Sequence, residues 1–361
     1  MTALKLGPPA RAASPPPGDE AAAGRHPTLL ATPLALVALP LRLLMGAINV
    51  PMALVQRRFG LNGVAAVFLA PNMIVFGLFV LLPVAINLAY SVTGGTAIFF
   101  EDRSFVGAEQ YRRLLSCGDY TQPATCSEDA FWQSVQNTLQ FVALQVSTLV
   151  LAALGTALVL NRRMRARGFW RAVFFFPVLL SPVVVGLIWK WILQRDGLLN
   201  ALLMELGVER TLWLAERNWA MFWSIFVSIW AHLGFYALIL LAGLQAIPRD
   251  LYEAAAMDGT SAMRIFRRIT LPLLWPNLLV VIILALIRAV QMFDEVFVLT
   301  GGGPGTSTLF ITQYIYETGF AHMLRNLGLA SAASILMGAV LVVLTLLQLA
   351  AANRRERRDR R

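Results

Sequence analysis

The sequence predicts an all-α polytopic membrane protein, and three observations carry that prediction. Of 361 residues, 58% are hydrophobic and only 14% are charged, against roughly 45–50% and about 25% in soluble domains. Mean hydropathy is +0.66. Apolar runs of about 20 residues recur, long enough as helix to cross a bilayer core of ~30 Å. Strand-like alternation over ~10-residue segments, which would mark a membrane β-barrel, is absent.

Each segment is then placed in order. Residues 1–27 are rich in Ala, Pro and Gly and read as a disordered cytoplasmic tail. They hold no compact apolar core with a small-residue cleavage site, so they are not a secretory signal. Residues 28–60 read as an interfacial or elbow helix, or else an extra span, because Pro33, Pro40, Pro51 and Arg42 interrupt their apolar run. Arg57 and Arg58 follow directly, and a single extra span would put the N-terminus outside, so the interfacial reading is preferred. Residues 61–352 form the transmembrane domain. Its six spans are expected at about 64–92, 135–160, 169–193, 219–247, 272–299 and 326–350. Residues 353–361 are a basic cytoplasmic tail.

Arginine sets the expected orientation. Arg162, Arg163, Arg165, Arg167 and Arg171 fill the second connection, and Arg249, Arg264, Arg267 and Arg268 the fourth. With six spans these share one side with the arginine-rich C-terminus, whereas the opposite loops are balanced by Asp and Glu. The positive-inside rule puts residues 161–171, 248–271 and both termini in the cytoplasm. The same clustering accounts for the net charge of +10 without nucleic-acid binding, since no basic stripe with interleaved aromatics occurs.

Cys117 and Cys126 fall in the first outside loop, on the oxidising side. Their segment, CGDYTQPATC, contains Gly118 and Pro123 and can turn back on itself. A disulfide is expected. A metal site is not, because no His lies nearby to complete a ligand set.

The chain holds no catalytic signature. No G-x-x-x-x-G-K-[ST] phosphate cradle occurs, and Gly301-Gly302-Gly303-Pro304-Gly305 lacks the following Lys and reads as a tight turn. The three histidines, His26, His232 and His322, are far apart in the chain. No catalytic residue, metal site or cofactor is expected in this chain, and a membrane enzyme is disfavoured.

The polar stretch between the fourth and fifth spans is longer than a simple connection needs. Arg249 to Met257 is a good helix former, Asp258-Gly259 is a stop-and-turn signal, and Ser261 is placed to cap a second short helix through Ile269. Leu271-Pro272 should end that helix. Ala254 to Ala256 would let another surface approach closely, and Glu253 and Asp258 stand amid arginines.

The spacing Glu253-Ala254-Ala255, Gly259, Ile269, Leu271-Pro272 resembles the EAA loop of permease subunits of binding-protein-dependent bacterial ABC importers, with Thr260 where Ala is common. Phe105-Val106-Gly107 with Tyr111, Trp189-Lys190-Trp191 with Gly197 and Asn200, Phe293-Asp294, and Val298 to Pro304 resemble the carbohydrate-uptake, maltose-permease-like branch. The resemblance covers about residues 64–350 and implies the type I importer permease fold. It implies that the first loop helix docks in a cleft of an ATPase subunit through Glu253, Ala254, Ala255 and Asp258, and that Gly259 provides the bend. The implied partners are a second permease subunit with its own EAA loop, a dimeric cytoplasmic ATPase that binds ATP and Mg, an extracytoplasmic solute-binding protein, and membrane lipid, in a bacterial inner membrane. The implied cargo is a sugar, oligosaccharide or related polyol. Alternatives are a non-carbohydrate solute or an ion-coupled secondary transporter, though no clear internal repeat favours the latter.

Polar groups inside spans are functional candidates. Arg288, Gln291 and Glu295 are expected on one helical face, with Asp294 beside it. Gln145, Trp230, Tyr236, Arg288, Gln291 and Asp294 are candidate path residues, offering hydrogen bonds to hydroxyls and aromatic faces to C–H surfaces. Helix-to-helix adhesion is an equal alternative for each. Trp189 and Trp191 read as an aromatic belt. The loop 194–218 carries leucines at helical spacing and is expected to lie under a docked binding protein or on the membrane surface.

Overall fold

The computed structural model describes residues 55–162, 164–321 and 325–359, with side chains through residue 350. The expected tail 1–27 and most of segment 28–60 lie outside the described residues. The chain divides into two compact units, 1–80 and 81–361. The described part of the first, 55–80, is helical. It belongs to helix α1, Val55–Ser91, which has a π turn at Gly77–Leu81. Helix therefore begins before the expected residue 64 and takes in Arg57 and Arg58.

In the second unit the elements follow as α2 (Glu109–Leu115), α3 (Asp129–Asn161), α4 (Arg167–Leu179), α5 (Pro182–Leu193), α6 (Leu198–Glu205), α7 (Arg217–Ala246), α8 (Arg249–Met257), α9 (Ala262–Val290), α10 (Asp294–Thr300), α11 (Ile311–Tyr316) and α12 (Leu327–Asp359). Among the described residues the only strand-like pairings are two isolated bridges, Thr93 with Phe105 and Cys117 with Cys126. Five helices are long and apolar enough to cross a membrane: α1, α3, α7, α9 and α12 over Leu327–Ala350. Counted as one span, the bent pair Arg167–Leu179 and Pro182–Glu205 adds a sixth.

Within the expected span 169–193 the helix is interrupted at residues 180–181, and Arg167–Leu179 meets Pro182–Glu205 at a bend of 99°. Pro182 starts α5, and Ser181 before it is extended at φ −61°, ψ 138°. A residue preceding proline disfavours the helical region, so the helix stops there. Where α4 crosses α7, Gly234 lies under the backbone of Phe174 and Phe175, and a Cβ would overlap the Phe174 carbonyl. Gly186 of α5 likewise faces the Glu295 carbonyl and the Val298 side chain of α10.

The fifth span departs from expectation at both ends. Helix is continuous from Ala262, so Pro272 does not end a separate short helix; the chain widens into a π turn at Phe266–Thr270 instead. Proline lacks an N–H and collides with the carbonyl four residues back, and a wider turn relieves that mismatch. Ser261 sits at the N-cap without a side-chain capping bond. At the far end α9 stops at Val290, with Gln291 as its C-cap. Residues 291–293 break the helix before α10 begins. Asp294 and Glu295 occupy the first turn of α10, where negative charge suits the helix dipole.

The largest core cluster joins α3, α7 and α9: Leu149 and Leu160 pack with Leu240, Leu244, Leu274 and Val281. Ala153, Ala157, Ala237 and Ala285 lie in it fully or nearly fully buried, and small residues let apolar helices approach closely where lipid supplies no hydrophobic drive.

In the connection between α5 and α7, α6 is fastened by Asn200. Its Nδ2 donates to the carbonyls of Arg195 at 3.0 Å and Thr211 at 2.9 Å. Its Oδ1 accepts from Thr211 N at 3.2 Å and Trp213 Nε1 at 3.0 Å. Leu199 and Leu203 pack against the cluster around Trp213, while Leu202 and Leu206 are exposed. Trp189 packs edge-on against Trp230 at 5.5 Å, so it is an aromatic-cluster residue, whereas Trp191 is 61% exposed.

In the first loop, Cys117 and Cys126 are joined by a disulfide. Asp119 accepts from Thr121 N and Oγ1 at 2.8 and 2.7 Å, and these bonds hold its carboxyl below the usual carboxylate range. Arg113 pairs with Glu128 beside the bridge. A short closed loop of this length contributes roughly 2–3 kcal/mol by restricting the unfolded chain. A maleimide should label neither cysteine in unreduced protein and both after reduction; labelling without reductant would exclude the bridge.

Candidate functional site

Two polar regions stand out: the loop between α7 and α9, and a cleft where α7, α9 and α10 meet.

The loop is a projecting helix on a tethered turn. Pro248 precedes α8, and Asp250 lies in its first turn. Gly259 turns the chain with φ +65°, a left-handed conformation that non-glycine residues adopt only with strain. Its N–H donates to Ala256 O at 3.0 Å, and Thr260 N to Ala255 O at 3.0 Å. No atom lies within 4 Å of where a Gly259 Cβ would be. Ala255 is buried and Met257 is 89% exposed. Glu253, Ala254 and Asp258 are exposed, and Glu253 and Asp258 form no ion pair among the described residues. Tyr252 Oη and Thr270 Oγ1 lie 3.1 Å apart and tie α8 to the π turn of α9. The neighbouring arginine-rich connection is also anchored: Arg167 Nε donates to Leu160 O at 2.7 Å. With the Gln245 amide turned so that its oxygen faces them, Arg171 and Arg167 donate to it at 2.8 and 2.9 Å.

The cleft is built on a buried carboxylate. Glu295 is 3% exposed. Its Oε1 meets Arg288 Nη2 at 3.3 Å and His232 Nε2 at 3.5 Å, and His232 Nδ1 lies 2.8 Å from Ser228 O. One carboxylate thereby ties α10 to α9 and α7. Two adjoining openings share Phe235, Tyr236, Arg288 and Glu295 on their walls, with volumes of about 290 and 250 Å³. Gln291 and Asp294 line the first and His232 the second.

The expected Arg288–Gln291–Glu295 face does not exist as one helical face, because the helix breaks between Val290 and Asp294. The break itself brings Glu295 back onto Arg288. Of the candidate path residues, Tyr236, Arg288, Gln291 and Asp294 come together here. Gln145 does not: it is buried in the α3–α7 contact, where Nε2 donates to Ser228 Oγ at 3.4 Å. Trp230 belongs to the aromatic cluster with Trp189. At the centre of the cleft stand Glu295, expected on one face with Arg288 and Gln291, and His232, which its isolation from the other histidines leaves without a sequence-level role; both are ionisable groups within apolar runs.

A third opening, about 450 Å³ and lined by Arg195, Asp196 and Arg210 among others, lies on the α6 loop. Its Arg210–Asp196 pair at 2.9 Å is well exposed, and such pairs contribute little. The Gly301–Gly305 run is a turn leaving α10: Gly301, Gly302 and Gly305 have positive φ, and Thr308 Oγ1 donates to Gly303 O at 2.7 Å.

Residues 149–358 match the family of binding-protein-dependent transport system inner membrane components. The chain is 37% identical over 284 residues to the trehalose/maltose transport system permease protein MalF of Thermococcus litoralis, covering 77% of this chain and 90% of that protein. It is 34% identical over 288 residues to the sulfoquinovosyl glycerol transport system permease protein SmoG of Agrobacterium fabrum, covering 78% and 87%. Its fold is that of a chain in a bacterial ABC transporter involved in the import of the acidic polysaccharide alginate, with a TM-score of 0.69, 24% identity, and coverage of 81% and 95%.

Proposed function

The chain belongs to the binding-protein-dependent transport system inner membrane components, and on that premise we propose that it forms half of the translocation path of an ATP-driven importer for a sugar, oligosaccharide or related polyol. The single observation that carries the coupling half of this reading is the α8 loop: an exposed helix bearing Glu253 and Asp258, which form no ion pair among the described residues, turned by a left-handed Gly259 and tied to α9 through Tyr252 and Thr270. The arginines on this side support a cytoplasmic position for it. A separate dimeric ATPase that binds ATP and Mg receives α8, with Glu253 facing a basic residue there. When that dimer closes, the displacement of α8 passes to α9 and the spans rock between inward- and outward-facing states.

A second permease subunit supplies the other wall of the path, and an extracytoplasmic binding protein delivers the solute. Tyr236, Arg288, Gln291 and Asp294 line this half of the path, while Gln145 and Trp230 support its walls. Carbohydrate cargo is supported by the transport systems that the relatives' names describe. The test is co-purification of this chain with a second permease and an ATPase, followed by ATPase assay in liposomes. Stimulation by a saccharide-loaded binding protein is expected. A stable complex stimulated only by non-carbohydrate ligands would overturn the cargo, and no association with an ATPase would overturn the assignment.

A further inference from the structure

We infer that this half of the path selects uncharged solutes and rejects anionic ones; the inference rests on the cleft being the path. Among the described residues lining the two openings, Arg288 is the one formal cation, against the carboxylates of Asp294 and Glu295. Arg288 is already engaged with Glu295 Oε1 at 3.3 Å. Asp294 is exposed and makes no ion pair among the described residues. His232 adds no free cation. Its Nδ1 lies 2.8 Å from the Ser228 carbonyl and its Nε2 3.5 Å from Glu295 Oε1. Neutral, it leaves the wall net negative; charged, it is held with Arg288 on Glu295, and in both states Asp294 is the wall's carboxylate without an ion pair among the described residues.

A sulfonate, uronate or phosphate on the solute would need a strong charge-assisted donor. The wall offers only Arg288. Taking it would leave Glu295, 3% exposed, without its guanidinium, and stripping a buried carboxylate of its partner is costly. Hydroxyl groups make no such demand: Tyr236 and Gln291 can donate and accept, and Phe235 and Phe293 offer apolar faces. The names of relatives alone do not decide the charge class, since they include both trehalose/maltose and sulfoquinovosyl glycerol systems.

The test reads the cleft with three methanethiosulfonate reagents, one neutral, one anionic and one cationic. Gln291→Cys is made in the assembled transporter, so that the opposite wall is present. The chain has no free cysteine of its own, so the introduced thiol is the one that reacts in this subunit, and the unsubstituted transporter corrects for the other subunits. Rates are normalised to a small thiol in solution. The anionic reagent should react about tenfold slower than the neutral one, the size expected of one net charge a few ångströms away at intermediate dielectric. Asp294→Asn should shrink that gap. An anionic reagent reacting as fast as the neutral one, or faster, would overturn the inference while leaving the path assignment standing. A thiol that no reagent reaches would overturn the path assignment and this inference with it.

Discussion

Reversing one charge on the projecting loop should abolish uptake without unfolding the protein. In the reconstituted transporter, Glu253→Arg is expected to lower solute uptake by roughly 30-fold or more, the effect of disrupting a buried charge pair at an interface. Glu253 is exposed in this chain and holds up nothing inside it, so melting temperature and membrane insertion should be unchanged. Gly259→Pro should give the same phenotype by a different route. Its backbone sits at φ +65°, where proline is fixed near −65°. The substitution also removes the N–H that donates to Ala256 O. Proline cannot hold that angle, so the turn itself must rearrange, whereas a Cβ at this position would meet no atom within 4 Å. Basal ATP hydrolysis should persist in both variants while uptake per ATP collapses. Normal uptake by both would remove the loop from the coupling route.

The cleft should respond asymmetrically to loss of its two charges. Arg288→Ala leaves Glu295 buried with only His232 beside it, and is expected to destabilise by roughly 2–3 kcal/mol, below the 3–5 kcal/mol typical of fully buried pairs because the Arg288 side chain is 47% exposed. Glu295→Ala leaves an arginine that water can reach, so the cost should be smaller. The difference can be read as the loss of melting temperature in detergent. Equal losses would mean that burial of Glu295 is not what makes the pair matter. Both variants should impair uptake, since the Glu295 carboxylate links α10 to His232 of α7 and Arg288 of α9.

Apolar runs and arginine clusters predict a six-span bundle because bilayer thickness imposes length and charge resists crossing. The left-handed turn at Gly259 is legible because few residues tolerate it. The disulfide partners are legible because only two cysteines exist. The bend at Ser181 is hidden because proline is compatible with the start of a helix as well as its interruption, and only the crossing under Gly234 decides. Pro272 misleads in the opposite direction: its mismatch is absorbed by a π turn that no periodicity reveals. The Glu295–Arg288–His232 contact is invisible for the same kind of reason. A straight helix would place Arg288 and Glu295 on one face, whereas the actual contact depends on a break at residues 291–293 and on an approach from α7.

In the proposed importer the α8 loop faces the cytoplasm and lies against a separate ATPase. Met257, 89% exposed at the end of α8, gives the most direct test. With Met257→Cys in intact cells, a membrane-impermeant thiol reagent should fail to label the chain. In inside-out vesicles it should label strongly once the ATPase is stripped away, and at least tenfold more slowly with the ATPase bound, as expected for a side chain buried on docking. Labelling from outside intact cells, or equal labelling with and without the ATPase, would contradict the account.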